Sequence, residues 1–177
     1  MKPGRKKESK RINTMTTPKL SWGHININVS DLDTSIAFYE KLGFSLLIPG
    51  VPYLGIGKDT GAEIPAKQSK ALNVPAGTTA RACIMQLDDG FPKIDLTEYA
   101  KDSPQAAAVN DDLGIVRLCL GTQNLVQDYA LLKSTGVEFL SEPTEGVGGL
   151  ADIAICRDPD GVLIELIELH LEKWGPT

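Results

Sequence analysis

One stretch of this chain recurs without a gap. Residues from His24 through Asp31-Leu32 to Leu42-Gly43-Phe44 align with residues from Arg117 through Asn124-Leu125 to Thr135-Gly136-Val137 at a constant offset of 93. Each copy reads as a strand, a short polar turn, a helix, a stop glycine and a second strand. In the first helix Asp31 or Asp33 can cap the N-terminus, Ile36, Phe38, Tyr39 and Leu42 supply an apolar stripe, and Gly43 ends it. In the second, Leu125, Tyr129, Leu132 and Gly136 repeat that arrangement. A chain carrying such a duplication is expected to fold as two like units.

The ends of the halves correspond as well. Ile153 to Arg157, the turn Asp158-Pro-Asp-Gly161, and Val162 to Glu168 predict a hairpin, because Pro-Asp-Gly sets up a tight reversal between two apolar runs. Its first-half counterpart is Arg81 to Leu87, Asp88 to Pro92, and Lys93 to Glu98, which sets Ile94-Asp95-Leu96 against Ile164-Glu165-Leu166. The expected class is α+β, with two βαβββ units. In the opening strand His24, Asn26 and Asn28 alternate with Ile25, Ile27 and Val29, so one face is polar and the other apolar. The polar face looks either to bulk water or into a lined cavity.

The body is acidic and its first residues are not. The chain has 177 residues, 42% of them apolar and 23% charged, which suits a single globular domain. Residues 1 to 13 hold six Lys or Arg against Glu8, a formal +5, so the rest of the chain carries −10 out of a total of −5. An acidic body repels phosphate and no aromatic or Gly-rich nucleic-acid motif accompanies the arm, so nucleic acid is not an expected partner. Residues 1–19 are expected to be a disordered basic leader, 20–170 the domain, with units at about 20–100 and 113–170, and 171–177 a tail. No apolar run approaches the roughly 20 residues of a membrane span, and a cytoplasmic location is expected. Cys83, Cys119 and Cys156 form no C-x-x-C pair, and each is expected to be a small core residue.

The segment His24…Val29-Ser-Asp-Leu…Phe38-Tyr39…Leu42-Gly43-Phe44, together with Asp158-Pro-Asp-Gly161…Ile164-Glu165-Leu166, resembles the vicinal oxygen chelate superfamily, which includes glyoxalase I, methylmalonyl-CoA epimerase, fosfomycin-resistance enzymes, extradiol dioxygenases and bleomycin-binding proteins. The resemblance spans roughly residues 20 to 170. It implies two paired units whose sheets curl into an open, barrel-like wall around a shared cavity, with metal ligands on the first and last strands of each unit. Carried over, those positions are His24, Asp95, Arg117 and Glu165, and Asn26 and Asn28 line the cavity beside them as substrate-binding groups. The resemblance also implies a small-molecule substrate and a homodimer.

Arg117 departs from that pattern. A guanidinium has no lone pair to give a metal. His24, Asp95 and Glu165 with water can still hold one divalent ion, with Mg, Mn, Fe, Ni, Co and Zn all candidates. A cation near 4 Å from Arg117 meets a repulsion of about 4 kcal/mol at an effective dielectric near 20. The metal-free arrangement is therefore preferred: Arg117 pairs with Asp95 or Glu165 or clamps a substrate oxyanion, and His24 or a carboxylate serves as general base.

Two functions remain open. One is a glyoxalase-like or epimerase-like lyase or isomerase that moves a proton next to a carbonyl of a small oxygenated substrate, using His24, Asp95, Arg117 and Glu165. The other is a non-catalytic protein that binds an antibiotic or natural product, as resistance proteins do. The Gly/Pro-rich stretch 49–80 is expected to be a lid, a binding loop or disordered, 100–112 a linker, and Glu145 to Leu150 a flexible closure. His170, beyond the last strand, is expected to have a surface role.

Overall fold

A computed structural model of the protein describes residues 20–100 and 107–175. The basic leader and part of the linker expected between the units lie outside the described residues. The first unit runs β1 (His24–Asn28), α1 (Leu32–Lys41), β2 (Phe44–Ile48), an insertion, β6 (Thr79–Leu87) and β7 (Lys93–Tyr99). The insertion holds β3 (Gly50–Val51), a 3-10 turn (Pro52–Leu54), β4 (Ile56–Gly57), β5 (Ala62–Glu63) and α2 (Ala66–Leu72). The second unit runs β8 (Arg117–Gly121), α3 (Leu125–Ser134), β9 (Glu138–Phe139), β10 (Thr144–Glu145), a 3-10 turn (Val147–Gly149), β11 (Ala151–Arg157) and β12 (Leu163–Leu169).

The duplication holds residue for residue where it was read. β1 and β8 have the same length, as do α1 and α3, and both ends of each pair lie 93 residues apart. Asp31 Oδ1 accepts the Thr34 N–H at 2.7 Å and Asn124 Oδ1 accepts the Gln127 N–H at 3.0 Å, so equivalent residues cap the two helices. A glutamate from each unit's last strand completes the cap. Glu98 Oε2 accepts the Leu32 N–H at 2.7 Å, and Glu168 Oε2 accepts the Leu125 N–H at 2.8 Å. Gly43 and Gly136 follow the helices with φ of +90° and +87°, a conformation that a β-carbon disfavours.

Each unit forms its own mixed sheet. The strand order is β1-β7-β6-β2 in the first, with β5 added to β6, and β10-β11-β12-β8 in the second, with β9 added to β11. β1 pairs parallel to β7, and β8 parallel to β12. The α+β class and the two βαβββ-like units are as expected, and among the described residues no strand pairing closes the sheets into a barrel. What β2 does as one strand in the first unit, β9 and β10 share as two short pieces in the second.

One core joins the units. Ile27, Val29, Phe38, Tyr39, Cys83 and Leu96 of the first unit are buried in the same cluster as Leu125, Leu132, Ala154, Cys156, Ile164 and Leu166 of the second. Buried apolar area of this kind is worth about 25 cal/mol per Å², so the helix-side faces of both sheets are committed to each other. The stretch expected as a lid is instead a packed layer. Val51, Leu54, Ile56 and Ile64 bury against Ala80 and Ala82 on the opposite face of the first sheet, forming a second core. The small alanines leave room for it.

The residues after β12 are tied down rather than free. The Lys173 Nζ donates to the Gly149 carbonyl at 3.0 Å and the Trp174 indole N–H to the Leu150 carbonyl at 2.9 Å, strapping the glycine-rich turn expected as a flexible closure. No helix among the described residues is long and apolar enough to cross a membrane.

Candidate active site

Strand register decides where the four sequence-derived residues go. His24, Asn26 and Asn28 sit beside Lys93, Asp95 and Thr97 across the β1–β7 ladder, and paired residues share a face. That face is turned away from the helix-side core. Asp95 is buried, and its Oδ2 lies 3.8 Å from His24 Nε2, while the His24 side chain is 38% exposed. The polar row therefore opens outward at His24 and closes over Asp95.

Asp95 is held by more than its imidazole neighbour. The Thr97 hydroxyl, itself buried, donates to Asp95 Oδ1 at 2.9 Å, and Asn26 Nδ2 donates to Thr97 Oγ1 at 3.0 Å and to the Asp95 carbonyl at 3.3 Å. Burial raises the carboxyl's affinity for protons above the usual aspartate range, opposed by Thr97, His24 and Asn26. Its charge in turn helps hold Tyr53 of the insertion and Tyr99 of β7 in their phenol forms, after burial, the larger cause. Asn26 is thus a support for Asp95. Asn28, exposed at the end of β1, has its backbone in register with Thr97.

The second pair occupies the equivalent face of the second sheet. The Arg117 Nε–H donates to Glu165 Oε2 at 2.7 Å and its Nη1 to Asn110 Oδ1 at 3.0 Å. Glu165 is 13% exposed at the side chain and Arg117 41%. The hydrogen bond and charge of Glu165 raise the guanidinium's pKa further. Asn110 belongs to the stretch read as linker, and nothing in its local sequence marks it as a partner for Arg117.

The structure brings together His24 with Asp95 and Arg117 with Glu165, each pair on its own sheet. Arg117 to Gly121 of β8 line a cavity of about 510 Å³ with Trp22, Ile25, Phe44 and Phe91. Asp95 alternates with the core residues Ile94 and Leu96, and Glu165 with Ile164 and Leu166, so both ion pairs lie on the strand faces opposite the common core. The three-ligand set of His24, Asp95 and Glu165 is not assembled: among the described residues no three His, Cys, Asp or Glu side chains converge.

One further residue differs from expectation. Cys83 and Cys156 are core residues, but Cys119 is exposed because it alternates with Leu118 and Leu120, which face the core. It stands in register with Glu165. His170 is only 22% exposed at its side chain, with Nε2 3.0 Å from Asp152 Oδ2, so each histidine of the chain has an aspartate beside it.

Comparison with known proteins agrees with this architecture. A family model described as the glyoxalase/bleomycin resistance protein/dioxygenase superfamily matches residues 21–166. A probable lactoylglutathione lyase of Vibrio parahaemolyticus is 28% identical over 148 residues, 82% of this chain and 88% of that protein. A glyoxalase family protein from Bacillus cereus superposes with a TM-score of 0.68 at 20% identity, over 88% of this chain and 97% of its own. Glyoxalase I from Zea mays superposes with a TM-score of 0.56 at 21% identity, over 82% of this chain but 46% of the maize chain.

Proposed function

From the premise that the chain belongs to the glyoxalase/bleomycin resistance protein/dioxygenase superfamily, we propose that it is a glyoxalase-type lyase or isomerase, moving a proton on the carbon next to a carbonyl of a small oxygenated substrate. The observation that carries this reading is the His24–Asp95 pair. A buried carboxylate made more basic by its surroundings is suited to take a proton from carbon, and an imidazole at the mouth of the site can exchange that proton with substrate oxygen. Negative charge on the resulting enolate calls for a cation, and Arg117, aimed by Glu165 and Asn110, is the group suited to meet it.

Within one chain Arg117 is on the other sheet. The reading therefore includes a homodimer in which the second unit of one copy faces the first unit of its partner. The V. parahaemolyticus protein's name supplies the first compound to test, lactoylglutathione. Formation of that thioester, and exchange of its carbon-bound hydrogen in deuterated water, are the assays. Wild-type turnover should fall by roughly 100-fold or more in Asp95→Asn and in His24→Ala. Turnover undiminished in both variants would refute the assignment.

One observation favours the second reading, binding without turnover. The 510 Å³ cavity beside β8 is lined by Trp22, Phe44, Phe91 and Ile115 and falls in the size range of small-molecule sites. Ligand-dependent melting shifts with no chemical change in the ligand would favour it over catalysis.

A further inference from the structure

The charge that a divalent ion would bring to the second sheet is already present in the chain. Glu165 is nearly enclosed, and an enclosed carboxylate needs a close counter-charge. The nearest is the Arg117 guanidinium at 2.7 Å, which a second hydrogen bond from Nη1 to Asn110 Oδ1 fixes in place. A guanidinium offers no lone pair, and the Glu165 oxygen facing it is engaged as an acceptor. Cys119, a soft donor beside this hard one, is in register with the same carboxylate. On the first sheet His24 and Asp95 face each other, and among the described residues no third His, Cys, Asp or Glu converges on them, one short of the three protein ligands of a catalytic zinc site.

We propose that Arg117 takes the place of a metal in this protein: it is the permanent counter-ion of Glu165, and the Glu165 face takes up no divalent cation. Two of the five guanidinium N–H groups are engaged, leaving others for an anionic ligand oxygen. This inference stands on the Arg117–Glu165 geometry and does not require turnover, so it can fail or hold independently of the proposed reaction.

The test is metal content and melting of the full chain, purified without chelator and without a metal-affinity step, as wild type, Glu165→Gln, Arg117→Met and the double variant. Elemental analysis of wild type should find far less than one divalent ion per chain at this face, and melting should be unmoved by EDTA or by added Zn²⁺, Ni²⁺ or Mn²⁺. Metal that persists equally in Glu165→Gln lies elsewhere and agrees with the proposal. Near-stoichiometric metal in wild type that is lost in Glu165→Gln overturns it. Arg117→Met should melt below wild type, and adding Glu165→Gln should recover part of that loss, because the stranded carboxylate is gone. An Arg117→Met protein that melts like wild type in EDTA also overturns the proposal.

Discussion

The Tyr39 hydroxyl of α1 donates to Asp158 Oδ2 in the β11–β12 turn at 3.2 Å, and both residues are buried. This bond crosses from one unit to the other, at the edge of their common core. Asp158 Oδ1 meanwhile accepts the N–H groups of Asp160 and Val162, so a single carboxylate shapes its own turn and ties it to the neighbouring unit. Tyr39→Phe leaves Oδ2 enclosed without its donor and should cost about 1.5–3 kcal/mol. For a chain of this size that is roughly 2–4 °C in melting temperature per kcal/mol.

The same bond predicts a pH dependence. Burial holds the Asp158 carboxyl above the usual aspartate value, with the two backbone N–H groups and Tyr39 pulling it down. In the folded state this group binds its proton more tightly than in the unfolded chain. Its contribution therefore falls as pH rises from about 4 through the raised folded value, and is unchanged beyond. Removing Tyr39 raises the folded value further. The Tyr39→Phe penalty should then be small near pH 4 and larger at pH 7, as chemical denaturation at the two pH values would reveal. A penalty that is equal at both would mean the hydroxyl does not favour the charged form.

Thr97 offers a prediction about the site. A hydroxyl has one proton, and with Asn26 donating to its oxygen that proton is directed at Asp95 Oδ1, leaving Oδ2 toward His24. Thr97→Val keeps the shape and removes the donor. If the proposed reaction operates, turnover should fall roughly 10- to 100-fold, and Thr97→Ser should restore most of it. Equal loss in Val and Ser would assign Thr97 to packing alone.

The duplication was legible because its signals are local: a capping Asp31 or Asn124, a helical stripe, and a glycine at positive φ recur at fixed spacing whatever lies around them. Strand alternation likewise put His24, Asn26 and Asn28 on one face of β1, whereas Asp95, Arg117 and Glu165 were reached through the family resemblance. Alternation could not say how the two units turn relative to each other, since that depends on apolar faces matching across the whole core. The same alternation puts Thr97 on the face of Asp95 two residues away, and Cys119 on that of Arg117. The insertion was illegible for a different reason. Val51, Leu54, Ile56 and Ile64 follow no period, and the signal for their burial lies in the small Ala80 and Ala82 opposite them.

That insertion is expected to behave as part of the folded body. Ile64 is completely enclosed, and the Ser69 hydroxyl bonds its carbonyl at 3.0 Å. Ile64→Ala should cost about 2–5 kcal/mol, the range for a large-to-small change in a core. A mobile lid would tolerate the change with little loss. Denaturant melts compare the two, and protease cleavage within residues 50–72 before global unfolding would contradict the packed arrangement.

The cysteines give a chemical check on the strand faces. Burial pushes the Cys83 thiol up to about 12 and the Cys156 thiol up to about 11, and both lie in the core. Cys119 is exposed, though partial burial and then the Glu165 charge raise its pKa too. Only the thiolate attacks a disulfide reagent. Native protein should therefore release one equivalent of chromophore from such a reagent, slowly at pH 7 and faster as pH rises, and three equivalents after denaturation. Cys119→Ser should abolish the native reaction. If the native protein instead gave two or three equivalents at the rate of an unfolded control, Cys83 and Cys156 would not be in the core, and the packing of β6 and β11 against the helices would have to be redrawn.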